Sequence, residues 1–255
     1  MAQIGLFPTV TLLQIDPATL GSVDAAYFGL GEDGIEYVVK TVLKTPTAPS
    51  AEWICHRLCV LCSIAIPQIS IVDVPKEGKA FGSQWDSAAQ KDGSLVEAIL
   101  KGKVPVNLLA SRLAAIHAFD LFVHNDDRHF GNYLCVKASD ASGIDTYAIR
   151  AYDFSRAWHY HGWPLPALPL PAASNTTMAA RNLAKHVPYD LSAALDTLQR
   201  IENISVGSFS EILKIIPNKW LEKSKKNAMI KWWASRDRRS RIDGIRKGLT
   251  NGAYM

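Results

Sequence analysis

Short β-branched and apolar runs punctuated by turn residues occupy the first third of the chain, and longer apolar stretches of helical period occupy most of the rest. Residues 10–15 and 25–30, joined by a segment rich in Asp, Pro, Gly and Ser, predict a hairpin, and residues 35–43 predict a third strand after Gly31-Glu-Asp-Gly34. Pro46 and Pro49 place the start of the next helix at Ser50, and its apolar spacing carries it to Cys62. Residues 67–74 and 79–85 read as two further strands, which completes a five-stranded antiparallel sheet with one helix. A polar stretch, 86–93, follows. Beyond it lie a short helix over 94–100 and a long one over 106–123, apolar nearly all round and therefore buried. Strands 133–136 and 146–149 bracket the polar tip 138–143. The proline-alternating segment 163–171 should be extended, and helices are expected over 178–186, 191–204, 209–216 and from Trp220 to the end. The pattern predicts an α+β fold of two lobes, a β-rich N-lobe over 1–88 and a mainly helical C-lobe over 89–255.

Composition narrows the class. The 255 residues can bury a sizeable core, and 28 Lys and Arg against 24 Asp and Glu leave a net charge of only +4. Ten of those cations fall between Lys223 and Lys247, interleaved with Trp232, Trp233, Ile242 and Ile245. We read this tail as an amphipathic helix that packs its tryptophans and keeps its charges in water, rather than as a nucleic-acid surface. No apolar run reaches bilayer length and the first residues lack a basic-then-apolar leader, so the expectation is a cytoplasmic protein with no membrane partner. Cys55, Cys59 and Cys62 lie at i, i+4 and i+7 among apolar neighbours, a helical core face rather than a zinc site, and suit a reducing compartment.

The chemistry concentrates after the long helix. Asp127 and Asn132 stand in the D-x-x-x-x-N relation of kinase catalytic loops, and the second predicted hairpin strand runs into Asp153-Phe-Ser, where a D-F-G-type metal ligand falls. Either segment alone is ordinary turn chemistry, and the order of helix, loop, hairpin and second acid carries the argument. His117 reads as a core or surface histidine. His124 either orients the loop or closes the helix.

Asp127-Arg-His-x-x-Asn132 with Asp153 downstream resembles the HipA-like kinases, bacterial serine/threonine kinases of divergent kinase fold, and more distantly the phosphatidylinositol kinases. The resemblance covers most of the chain up to about Trp158. It implies ATP and Mg²⁺ as cofactors, Asp127 as the base, Asn132 and Asp153 as metal ligands, and Arg128 with His129 as braces of the loop. It places Lys40 at the phosphate-gripping lysine of the third strand, although a solvated strand lysine reads equally well there. It places Glu52 as the partner of Lys40, the alternative being a first-turn glutamate favoured by the helix dipole. Gly21 and Ser22 would form the turn over the phosphates, departing from G-x-G-x-x-G. Phe81 and Gly82 resemble the strand leading to the adenine-binding hinge. The implied acceptor is a Ser or Thr hydroxyl on a protein, with an antitoxin or regulatory protein as partner. A lipid or small-molecule kinase and a catalytically silent kinase-fold binding module are the alternatives.

Overall fold

A computed structural model describes residues 9–17, 24–90, 92–139 and 145–254. The alternating residues of the N-terminal part form β1 (Thr9–Pro17), β2 (Tyr27–Gly31), β3 (Glu36–Lys40), β4 (Ile69–Val74) and β5 (Gly78–Gln84). They hydrogen-bond in the order β1-β2-β3-β5-β4, and β1 closes the sheet into a barrel by pairing in parallel with β4 through Thr9↔Ile71 and Val10↔Val72. The expected all-antiparallel sheet is corrected here: four pairings are antiparallel, and the closing one is not.

Period-two alternation decides which side each residue serves. Val10, Leu12, Tyr37, Val39, Val72, Val74 and Ala80 fill the barrel interior. Their neighbours face outward, and Phe81 joins the main core. Gly82 points into the barrel, where an added Cβ would lie 2.6 Å from Val72 Cγ1 and 3.0 Å from Tyr37 Cδ1, so only glycine lets β5 pack there.

Helix α1 (Ala48–Leu61) lies between the barrel and the helical lobe and is buried along Trp53, Ile54, Cys55, His56, Leu58 and Cys59. It starts two residues before the expected Ser50, because Pro49 sits within its first turn, where the missing N–H costs nothing. Glu52 therefore belongs to the second turn, and the first turn carries no acid. The third strand is shorter than expected. It ends at Lys40, and residues 41–45 turn, with Thr41 Oγ1 accepting from Lys44 N and Thr41 O from Thr45 N.

The second lobe opens with α2 (Gly93–Leu100), N-capped by Asp92, and the buried α3 (Leu109–Val123). Leu108 takes φ +58, which starts α3 later than the periodicity suggests. Strands β6 (Tyr133–Ser139) and β7 (Asp145–Ala151) form a separate hairpin. After them come α4 (Asn175–Leu183), α5 (Leu191–Asn203), α6 (Val206–Ile215), α7 (Lys223–Ala234) and α8 (Arg236–Thr250). Ser174, Asp190 and Ser205 cap α4, α5 and α6 with side-chain oxygens. The single helix expected from Trp220 is broken, because Ser235 accepts from Asp237 N and starts α8 anew. All four cysteines are buried thiols. Among the described residues no helix is long and apolar enough to cross a membrane.

The tail tryptophans pack as expected, around Trp158. Trp233 stacks on Phe209 at 4.0 Å and 10°, lies edge-on to Phe122, and donates from Nε1 to Ile204 O at 3.1 Å. Its truncation would empty the centre of this cluster. Trp233→Ala is expected to lower the unfolding free energy by about 3–5 kcal/mol in urea denaturation; a loss below about 1 kcal/mol would show that the cluster can close over the gap.

Candidate active site

On β3, Tyr37 and Val39 face the barrel, which sends Lys40 to the other side, against α1 and the segment after β7. Lys40 is only 4 % exposed. A charge so placed must be paired. Its Nζ donates to Glu52 Oε1 at 2.5 Å, Asp153 Oδ1 at 2.7 Å and Ser155 Oγ at 2.7 Å. Burial by itself would push the Lys40 pKa down, but Asp153 and Glu52 outweigh it and raise it above the ordinary lysine value. Burial likewise opposes ionisation of Asp153 and Glu52, and Lys40 reverses the sign, so both are held below the usual carboxylate range. Glu52 Oε1 also accepts from Phe154 N at 2.9 Å and Ser155 Oγ at 3.1 Å. Asp153 adopts φ +59, a left-handed conformation uncommon outside glycine, held in place by these bonds.

The loop after α3 is organised by a second buried ion pair. Arg128 Nε and Nη2 meet Asp120 Oδ2 and Oδ1 at 2.9 and 3.0 Å, and Asn125 Nδ2 adds a bond to Oδ1 at 2.8 Å. Nη1 of the same arginine donates to Asn132 O at 2.7 Å and to Tyr152 O. One guanidinium thus ties α3, the loop and the end of β7 together. Asn132 Nδ2 donates to Asp127 O at 2.8 Å, and the pairing of Tyr133 with Ala151 sets Asn132 and Asp153 at the same end of the hairpin. His129 is exposed and its Nδ1 accepts from Gly131 N at 3.0 Å, capping the short turn that leads to Asn132, while Arg128 makes the buried bonds of the loop.

Asp127 is partly exposed at the rim. Asn175 Nδ2 donates to its Oδ1 at 2.5 Å, and Arg156 Nε lies 3.4 Å from Oδ2. Asp126 faces His161 Nε2 at 3.0 Å. Thr176 bonds three parts of the loop, donating to Asn125 O and Asp126 O and accepting from Arg128 N.

Between the barrel and the β6–β7 hairpin opens a concave, mainly apolar cleft with a few convergent polar groups, the character of small-ligand sites. Its apolar walls include Ala25, Phe28, Val38, Phe81 and Leu134, Ser83 to Asp86 border it, and Lys40, Glu52 and Asp153 close its inner end. Gly82 gives this wall no side chain, since its absent Cβ faces the barrel interior. Gly21 and Ser22 lie outside the described residues. Asp153 at the inner end and Asn132 at the same end of the β6–β7 hairpin offer a carboxylate and a carboxamide, hard oxygen donors of the kind Mg²⁺ takes, and that ion takes few protein ligands.

Several residues here escape a linear reading. Asp120 had a signal, an acid inside an otherwise apolar helix, and Ser155 completes Asp-Phe-Ser. Arg156, Asn175 and Thr176 had none, because only folding brings them to the loop. Arg241, expected in solvent, donates instead to Phe122 O, Leu121 O and Pro166 O at 2.8, 2.9 and 2.7 Å, satisfying the last carbonyls of α3 just before the loop. Burial lowers its pKa to about 10.

The barrel, the interlobe helix, the cleft and the loop define a two-lobed kinase-like fold. A family model described as HipA-like kinase matches residues 18–135, a stretch that runs from after β1 through the loop. The match ends before Asp153. The proinflammatory kinase CtkA of Helicobacter pylori superimposes with a TM-score of 0.60 at 13 % identity, covering 96 % of this chain and 100 % of its own. HipA of Shewanella oneidensis MR-1, solved with HipB and operator DNA, gives 0.50 at 11 % identity over 91 % of this chain and 67 % of its own. No curated protein matches.

Two outcomes follow from the buried charges. Asp120→Asn leaves Arg128 charged and unneutralised, and is expected to cost about 3–5 kcal/mol in denaturation, whereas the double variant Asp120→Leu/Arg128→Met should recover part of that loss. His117 and His159 are held neutral mainly by burial, their pKa values lowered to about 4. The unfolded chain then binds more protons than the folded one between about pH 6.5 and 4, so stability falls as pH drops through that window, by up to about 1.4 kcal/mol per pH unit for each histidine. His117→Gln should make the measured slope shallower; an unchanged slope would place its protonation elsewhere.

Proposed function

We propose that the protein is a Mg²⁺- and ATP-dependent kinase that transfers the γ-phosphate to a Ser or Thr hydroxyl of a protein. The observation that carries this reading is the buried Lys40, paired at once with Glu52 of α1 and Asp153 at the inner end of the cleft. Such a cation, held by a helix glutamate and beside a metal-binding acid, is what gripping phosphates requires. Asp153 and the carboxamide of Asn132 hold the metal ion, which when bound neutralises charge on the phosphates. Asp127, at the rim of the loop, takes the acceptor proton. Arg128 acts indirectly, keeping the loop in register. Phe81 and the backbone from Ser83 to Asp86 border the adenine end. The lobes divide near residues 88 and 89, with the nucleotide grip in the first and the acceptor side in the second. The cytoplasm is the compartment in this reading, and a regulatory protein is the partner, supported by the complex in which the HipA of Shewanella oneidensis was solved.

The test is transfer from γ-labelled ATP in the presence of Mg²⁺, with the full chain alone and with cell extract. Asp127→Asn should keep nucleotide binding and lower transfer by about 10²–10⁴-fold. Asn132→Ala and Asp153→Ala should each weaken Mg²⁺-dependent ATP binding. Lys40→Met should lose activity and also stability, about 3–5 kcal/mol, since it leaves two carboxylates buried without their cation. Nucleotide binding without transfer by the wild type would favour a silent kinase-fold module. Label appearing only in lipid or small molecules would replace the acceptor class.

A further inference from the structure

The acceptor side of the loop has a charge pattern that phosphate gripping does not explain. From Phe154 to Tyr189 the chain contains no Asp or Glu, yet it carries Arg156, Arg181 and Lys185. This segment supplies the residues against the base: Arg156 meets Asp127 Oδ2, and Asn175 at the start of α4 meets Oδ1. From Asn175 the helical period leads through Met178 to Arg181 and Lys185, and these last three are exposed. Tyr160, also exposed, lies under the Arg156 guanidinium at 5.9 Å. The carboxylates of the rim already have neighbours, Asp126 lying 3.0 Å from His161 Nε2 and Asp127 being held by Arg156 and Asn175.

Asp127 Oδ1 already accepts from Asn175, so an acceptor hydroxyl delivering its proton to Asp127 approaches Oδ2, the oxygen that Arg156 faces. The guanidinium must then give way. Arg156 and Asp127 are 39 % and 25 % exposed, so their pairing is screened by solvent and easily exchanged. A displaced arginine on a segment that carries two further exposed cations and no acid is best satisfied by a carboxylate that arrives with the acceptor. We propose that this kinase, on the reading above, selects Ser or Thr acceptors flanked by Asp or Glu, and that Arg156 is the residue that makes the selection.

The test uses the full chain with Mg²⁺ and ATP and three serine peptides identical except for Glu, Gln or Lys at the positions flanking the serine. The Glu peptide should show kcat/KM about tenfold above the Gln peptide. Arg156→Gln should bring the two within about twofold, and Arg156→Glu should turn the preference toward the Lys peptide. Equal use of all three peptides by the wild type would overturn the proposal, as would an Arg156→Gln protein that keeps the preference but has a raised KM for ATP, because Arg156 would then serve the nucleotide. Equilibrium binding of the same peptides with Ala in place of Ser separates this inference from the kinase reading. Arg156-dependent binding of the Glu peptide without transfer would retain the acidic-segment surface and remove the kinase function. Displacement of that peptide by single-stranded DNA at lower concentration than by free peptide would assign the face to nucleic acid and overturn the proposal.

Discussion

An ammonium group shut away from water has to be neutralised where it lies, and for Lys40 the neutralising groups come from distant parts of the chain. Glu52 is 12 residues away and Asp153 is 113. Bringing them together fixes the third strand against α1 and the first lobe against the end of β7. The geometry leaves little freedom: Glu52 Oε1 is shared among Lys40, Phe154 N and Ser155 Oγ, and Asp153 accepts a left-handed backbone to reach the cation. Pairs of this kind contribute little net stability over an apolar core, because desolvation offsets attraction, but they specify one arrangement strongly. Here that arrangement is the relative placement of the two lobes at the cleft.

The Asp120–Arg128 pair does for the loop what Lys40 does for the cleft. A loop that must present an acid at its rim cannot rely on its own short-range bonds, and this one borrows rigidity from α3 beneath it, from β7 beside it and from Thr176 above it. Asp127, the group assigned to proton transfer, is left at the surface of this scaffold, with partners that solvent can replace.

What the chain discloses in one dimension is what depends on near neighbours. The strands and helices were readable because burial imposes periods of two and 3.6, and the loop was readable because Asp127 and Asn132 are five residues apart. The pairing of Lys40 with Glu52 could be guessed only by position along a known arrangement. The parallel closure of β1 on β4, the contacts of Arg156 and Asn175 with Asp127, and the break at Ser235 depend on distant partners or on one side-chain bond that periodicity cannot express. Gly82 is instructive for another reason: alternation along β5 puts it opposite Phe81, so of the two only Phe81 can offer the cleft a side chain.

Arg241 belongs to α8, near the end of the chain, yet three of its bonds go to carbonyls of α3 and of the segment after Asp153. Fraying of a terminal helix is ordinarily a local event with no reach beyond itself. In this protein, unwinding α8 strips the donors from the last turn of α3, the turn from which the loop departs. Through this one side chain α8 is tied to the loop, so a force that holds or releases the helix bears on the loop without entering the cleft.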